Sequence, residues 1–122
     1  MSLSERDRQR LAGVHPDLVR VVERAAAETP LFVIEGLRTA ARQRELVAKG
    51  SSRTTASRHL TGHAVDLAPI PLDWSDFEAF RAMAKAVLAA AEVEGVPLVW
   101  GGNWPSFRDG PHFELDRANY PA

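Results

Sequence analysis

The chain has 122 residues, with 15 Lys+Arg against 16 Asp+Glu, a formal net charge of −1, 45% hydrophobic residues and no cysteine. That length fits one domain able to bury about two thirds of the surface its unfolded chain exposes, so folding alone requires neither disulfide nor metal. The charge balance lacks the cationic excess that nucleic-acid binding calls for; the absence of thiols removes cysteine nucleophiles and leaves nitrogen and oxygen as the metal ligands.

Residues Met1 to Arg10 carry charges where a secretory leader would have its apolar stretch, and no apolar run approaches the ~18 residues of a membrane span, so the chain as given is expected to be soluble and cytosolic as made. Leu18, Val21, Val22, Ala25 and Ala26 recur at helical spacing behind Pro16, which predicts an amphipathic helix over Pro16 to Glu28. Leu31-Phe32-Val33-Ile34, bounded by Pro30 and Gly36, predicts a short buried strand. A second helix is expected from Thr39, as N-cap, to Lys49, with Gly50 as its stop. Gly50 to Arg58, rich in Ser and Thr, reads as a loop delivering the chain to His59.

His63 to Leu67 reads as a strand, with Ala64 and Asp66 on one face and His63, Val65 and Leu67 on the other. Ser75-Asp76-Phe77-Glu78 has a capping-box pattern and opens the longest helix, which runs to Glu94 before Gly95. Val96 to Trp100 and Pro111 to Leu115 are the last two strand candidates. Helices dominate the first half and strands gather late, which predicts an α+β single domain in which a small antiparallel sheet packs against helices.

Chemistry concentrates in two segments. Ser57 to Leu67 holds His59, His63 and Asp66; Asp109 to Glu114 holds Asp109, His112 and Glu114. Two imidazoles and a carboxylate are the inventory of a catalytic zinc site, in which three N/N/O ligands leave one position open and a further acid takes a proton. A turn at Thr61-Gly62 can bring His59 and Asp66 together, and a turn at Gly110-Pro111 can aim Asp109 at the same centre as His112. His63, four residues from His59, is the rival ligand; Gly62 interrupts any helix between them, and Leu60 stands where the helical zinc-peptidase motif carries Glu. A structural role suits His63 better. Strand alternation puts Glu114 on the face of His112, where it either orients that ring or forms an ion pair.

The string Ser57-x-His59-x-x-Gly62-x-Ala64-x-Asp66 resembles the first zinc motif of the D-alanyl-D-alanine carboxypeptidase and dipeptidase superfamily, and Asp109-x-x-His112-Phe113-Glu114 resembles its second. Glu35-Gly36-Leu37-Arg38-Thr39, Ser57 through Ala68 and Trp100-Gly101-Gly102 are similar to the branch of phage endolysins that cut peptidoglycan as L-alanyl-D-glutamate endopeptidases. The similarity runs from Gly13 to Tyr120. By matched position it implies Zn2+ held by His59, Asp66 and His112, Asp109 as general base, Arg38 facing the metal, and Ser57 and Trp100 as substrate contacts. Two departures stand out: many relatives have Glu where Asp109 is, and Asn103 occupies a position where Asp is expected.

The resemblance implies a monomer whose partner is the peptidoglycan stem peptide, with no nucleic acid and no membrane, made in the cytoplasm and acting on the periplasmic wall after holin-type release. Arg38, a permanent cation with forked donors, suits the charged oxygen of a tetrahedral intermediate. Two other classes compete: a D,D-carboxypeptidase or dipeptidase of the same superfamily, and a non-catalytic zinc-containing peptidoglycan-binding domain. The joint presence of Asp109 and Arg38 argues against the second.

Overall fold

The structure, a computed structural model, describes residues 2–50, 52, 57–105 and 108–121. Among these are the helices α1 (Glu5–Arg10), α2 (Pro16–Glu28), α3 (Ala40–Ala48) and α4 (Phe77–Glu94), and the strands β1 (Leu31–Glu35), β2 (Ala64–Pro69), β3 (Leu98–Trp100) and β4 (His112–Leu115). Two short 3₁₀ turns, Arg58–Thr61 and Gly101–Asn103, lead into β2 and away from β3. The strands form one antiparallel sheet in the order β1-β2-β4-β3, so the fold is α+β as expected.

α2 fills the span its apolar spacing predicts. Pro16 opens it, where a missing N–H costs nothing, and the His15 ring accepts from the Asp17 N–H at 3.0 Å. Leu18, Val21, Val22 and Ala25 are all 0% exposed, and this stripe packs against the buried face of α4, formed by Met83, Ala84, Val87 and Ala91. α3 begins at its predicted cap, with Thr39 Oγ1 accepting from the Arg42 N–H at 3.1 Å. α4 is capped one residue later than expected. Asp76 takes the Ala79 N–H at 3.1 Å, because the Ser75 amide and hydroxyl are both committed to Asp73 Oδ1. Most of the predicted Gly50 to Arg58 loop lies outside the described residues.

Strand register sorts the sheet into two faces, because directly paired residues of antiparallel strands point the same way. Val33 pairs with Leu67, while Val65, Phe113 and Trp100 line up across β2, β4 and β3; all are buried, and this face joins the helical core. On the other face Asp66 pairs with His112, and Ala64 with Glu114. A register shift in β1 between Val33 and Glu35 brings Glu35 opposite Asp66. One extra residue in a strand reverses which face the next side chain joins. Glu35, Asp66 and His112 therefore form a polar row across three strands.

α1 was not expected from its charge-rich sequence. Ser4 and Asp7 form a reciprocal capping box, and the second Asp7 oxygen accepts from the Val33 N–H at 2.8 Å. Arg10 Nη1 donates to the Val33 carbonyl, also at 2.8 Å. α1 is thus fastened to the outer side of β1, the edge strand.

Candidate metal centre

The polar row becomes a site because the chain on either side of the sheet is tied to it. The 3₁₀ turn presents His59 and is capped by Ser57, whose Oγ accepts from the His59 N–H at 3.2 Å. Gly62 ends the turn at φ 76°, a left-handed conformation, and a Cβ there would lie 2.4 Å from the Gly13 carbonyl oxygen. Only glycine meets both demands. The segment after β1 then grips the turn twice: the Arg38 N–H donates to the His59 carbonyl at 2.9 Å, and the Gly36 carbonyl lies 2.8 Å from His59 Nδ1.

That second contact fixes the proton. A carbonyl only accepts, so His59 Nδ1 carries a hydrogen, and Nε2 is the ring nitrogen that faces Asp66 Oδ1, 3.2 Å away. His112 is held in the opposite sense. Its Nε2 donates to Glu114 Oε1 at 2.9 Å, leaving Nδ1 3.4 Å from the same Asp66 oxygen. Two inner ring nitrogens and a carboxylate thus converge, with one ligand atom from each residue all within 4.8 Å of one another. Such a group of acceptors calls for positive charge at its centre. The donor set, with each imidazole oriented by an outer partner, fits a metal ion.

The electrostatics of the row follow from these contacts. Burial raises the Asp66 carboxyl, but hydrogen bonds from His112 and His59 outweigh it and hold it well below the usual carboxylate range. Burial would lower His112, yet its bonds to Asp66 and Glu114 prevail and raise it to about 9. A proton therefore occupies His112 when nothing else neutralises the row. Glu114 is held ionised by His112 and Arg117 against the effect of burial.

Arg38 lies beside the carboxylate of this group. Its side chain is 8% exposed; Nη2 is 3.5 Å from Asp66 Oδ2 and also pairs with Glu35, while Nη1 donates to Gln43 Oε1 at 2.7 Å. Gln43, 0% exposed, in turn donates to Ser52 Oγ at 2.8 Å. Glu35 and Gln43 are members of the site that the sequence did not single out. Gln43 is the one buried residue of α3, and only the fold shows it.

Asp109 shares the cleft with the three acceptors, and that cleft, about 610 Å³, is also lined by Arg38, Ser57 and Trp104. Burial raises the Asp109 carboxyl, and the Asp66 charge raises it further. Its backbone is fixed by the Asp109 N–H donating to the Gly101 carbonyl at 3.0 Å and by His112 N–H donating back at 3.2 Å. Trp100 corrects an expectation. It is 4% exposed inside the core, stacked on Phe77, with Nε1 donating to the Gly110 carbonyl at 2.7 Å. A side chain so enclosed does not reach substrate; it secures the turn that carries Asp109. His63 stands apart from the three acceptors, hydrogen-bonded to Thr61 and near the His15 ring. Asn103 is exposed in the second 3₁₀ turn.

Comparison with known proteins finds one family. The profile of the phage L-alanyl-D-glutamate peptidase family matches residues 1–118. The L-alanyl-D-glutamate peptidase of Escherichia phage T5 is 36% identical over 120 residues, 92% of this chain and 87% of that protein. That of Listeria phage A118 is 31% identical over 90 residues, 74% of this chain but 32% of the longer relative. Among solved structures, the L-Ala D-Glu endopeptidase ChiX of Serratia marcescens matches with a TM-score of 0.90 at 48% identity, covering 97% of this chain and 92% of that one.

Proposed function

The chain belongs to the phage L-alanyl-D-glutamate peptidase family, and from that premise we infer that it is a peptidoglycan hydrolase cutting the L-alanyl-D-glutamate bond of wall stem peptides, with His59, Asp66 and His112 holding Zn2+. The observation that carries the metal reading is the pair of committed imidazoles: Gly36 and Glu114 occupy the outer nitrogens, and the inner ones face a carboxylate. A zinc ion bound there supplies the Lewis acidity that amide hydrolysis needs at neutral pH.

The remaining work falls to the chain's own groups. Asp109, in the same cleft with a raised carboxyl, is suited to take the proton of the attacking water and return it to the leaving amine. Arg38 lines the cleft, and Glu35 and Gln43 hold its guanidinium in place, so its charge stands beside the site in advance, as stabilisation of an oxyanion requires. Ser57 lines the cleft beside His59 and remains a candidate substrate contact. The relatives described are L-alanyl-D-glutamate peptidases, which sets the D,D-carboxypeptidase reading aside. A purely binding role leaves Asp109 and Arg38 without purpose.

No helix among the described residues is long and apolar enough to cross a membrane. We assign the site of action to the periplasmic wall, reached by holin-type release as for a phage lysis enzyme. The decisive experiment digests purified peptidoglycan with zinc-loaded and chelator-treated protein and identifies new termini by mass spectrometry. Zinc-dependent appearance of D-glutamyl amino termini is expected; a new terminus at any other bond sinks the assignment.

A further inference from the structure

The reactive cleft continues past the metal centre. Beside it lies a second hollow of about 410 Å³ whose walls include Phe77, Phe80 and Arg108, and which shares Trp74, Asp109 and Pro111 with the first. A ligand with its scissile bond near Asp109 therefore reaches Trp74 without leaving the surface.

Trp74 is built as a platform. It is 63% exposed, yet its ring stacks on Phe80 at 5.6 Å between centroids and 21° between planes, and Phe80 is itself 3% exposed. Phe80 is anchored in turn, since its Cβ and ring lie 3.3–3.4 Å from where a Cβ on Gly110 would stand, immediately beside Asp109. The indole thus stacks on a buried ring that packs beside Gly110, the neighbour of Asp109. At the rim, Arg108 Cζ stands 3.8 Å over the Phe77 ring. A flat apolar surface with a guanidinium donor at its edge matches a ligand having an apolar face bordered by hydroxyl, amide or carboxylate groups.

A pyranose ring has that form: its C–H groups present an apolar face and its substituents a polar rim. The inference rests on the cleavage reading above. In peptidoglycan the L-alanyl side of the bond is joined to an N-acetylated sugar of the glycan, so a sugar lies about one residue, roughly 3.3–3.6 Å of extended chain, beyond the alanine. The D-glutamyl side leads instead into carboxylates and charged residues, which suit Arg42 and Arg117 on the cleft wall better than an aromatic floor. We propose that Trp74, backed by Phe80, is a subsite for the N-acetylated sugar that carries the stem peptide.

The test compares two substrates of identical peptide sequence, one bearing N-acetylmuramic acid on the L-alanine and one merely N-acetylated. Both are assayed with the zinc-loaded wild type, Trp74→Ala and Trp74→Phe. The wild type is expected to favour the sugar-bearing substrate in kcat/KM by about tenfold, the size of one good aromatic contact, expressed mainly in KM. Trp74→Ala should bring that ratio close to one, and Trp74→Phe should keep most of it. A wild-type ratio near one, or a ratio that Trp74→Ala leaves intact because both substrates suffer equally, overturns the sugar subsite while the cleavage reading stands. If neither substrate is cut at the L-alanyl-D-glutamate bond, both fall together.

Discussion

The two faces of the sheet are made by the same strands and obey different rules. On the core face, Val65, Leu67, Phe113 and Leu115 are 0% exposed and each depends on close apolar packing, where burial of one such side chain contributes about 1.5–3 kcal/mol. On the opposite face, Asp66, His112 and Glu114 sit one residue away along the same strands; they pair with one another and with groups from outside those strands, His59 held by the Gly36 carbonyl and Arg38 behind the β1 bulge. One face is built for folding and the other holds converging acceptors that folding alone does not favour. Substitutions on the two faces should therefore separate stability from turnover.

The largest separation is expected at Asp109. Asp109→Ala should lower turnover by about 10²–10⁴-fold, the range of general acid–base catalysis, while zinc content and unfolding midpoint stay near wild type. Metal analysis paired with peptide release measures this; near-normal turnover in the zinc-loaded variant passes the role to another acid. The converse test is Phe113→Ala, one residue from His112. It should cost about 3–5 kcal/mol in denaturant unfolding, with much smaller change in kcat for the molecules that remain folded. A variant that unfolds normally but loses turnover would mean that the faces are not independent.

Arg38→Lys keeps the charge and loses the fork that Glu35 and Gln43 hold in place. A loss of about 10²–10³-fold, mainly in kcat, is expected if the guanidinium acts on the oxyanion; unchanged kcat and KM would return the residue to a structural ion pair. Glu114→Gln removes the charged partner of the His112 Nε2–H and should weaken zinc binding by about 10–100-fold, read by competition with a chromogenic chelator.

The smallest effect is in pH. In metal-free protein His112 is raised from 6.5 to about 9. Its charged form thus stabilises the fold fully below about 6.5, and that contribution disappears as pH rises through about 9. Zinc must displace the same proton, so apparent affinity should climb with pH up to about 9 and level off above it. Calorimetry of proton release in two buffers measures the displacement; a zinc affinity flat between pH 7 and about 9 contradicts the protonated state.

Legibility in the sequence follows the same division. α2 and the apolar part of β1 are readable because their side chains repeat at helical or strand spacing and answer to one core. His59, Asp66 and His112 are readable because only those residue types carry the chemistry and two glycine turns mark how the chain returns. Glu35 and Gln43 are not, because their importance comes from a bulge and a buried contact to Arg38, neither of which has a period. Trp100 misleads for a related reason: its neighbours Gly101 and Gly102 resemble a site motif, and only the fold shows that the indole points inward to hold the Asp109 turn. α1 escapes because its six residues bury little beyond Asp7.

α1 also bears on how the protein behaves in company. β1 is an edge strand, and an exposed edge offers unpaired N–H and C=O groups to any other strand that drifts against it. Asp7 and Arg10 occupy both backbone groups of Val33, at the middle of that edge. A carboxylate and a guanidinium thus act as a plug at Val33, where a further strand would otherwise find a free donor and acceptor.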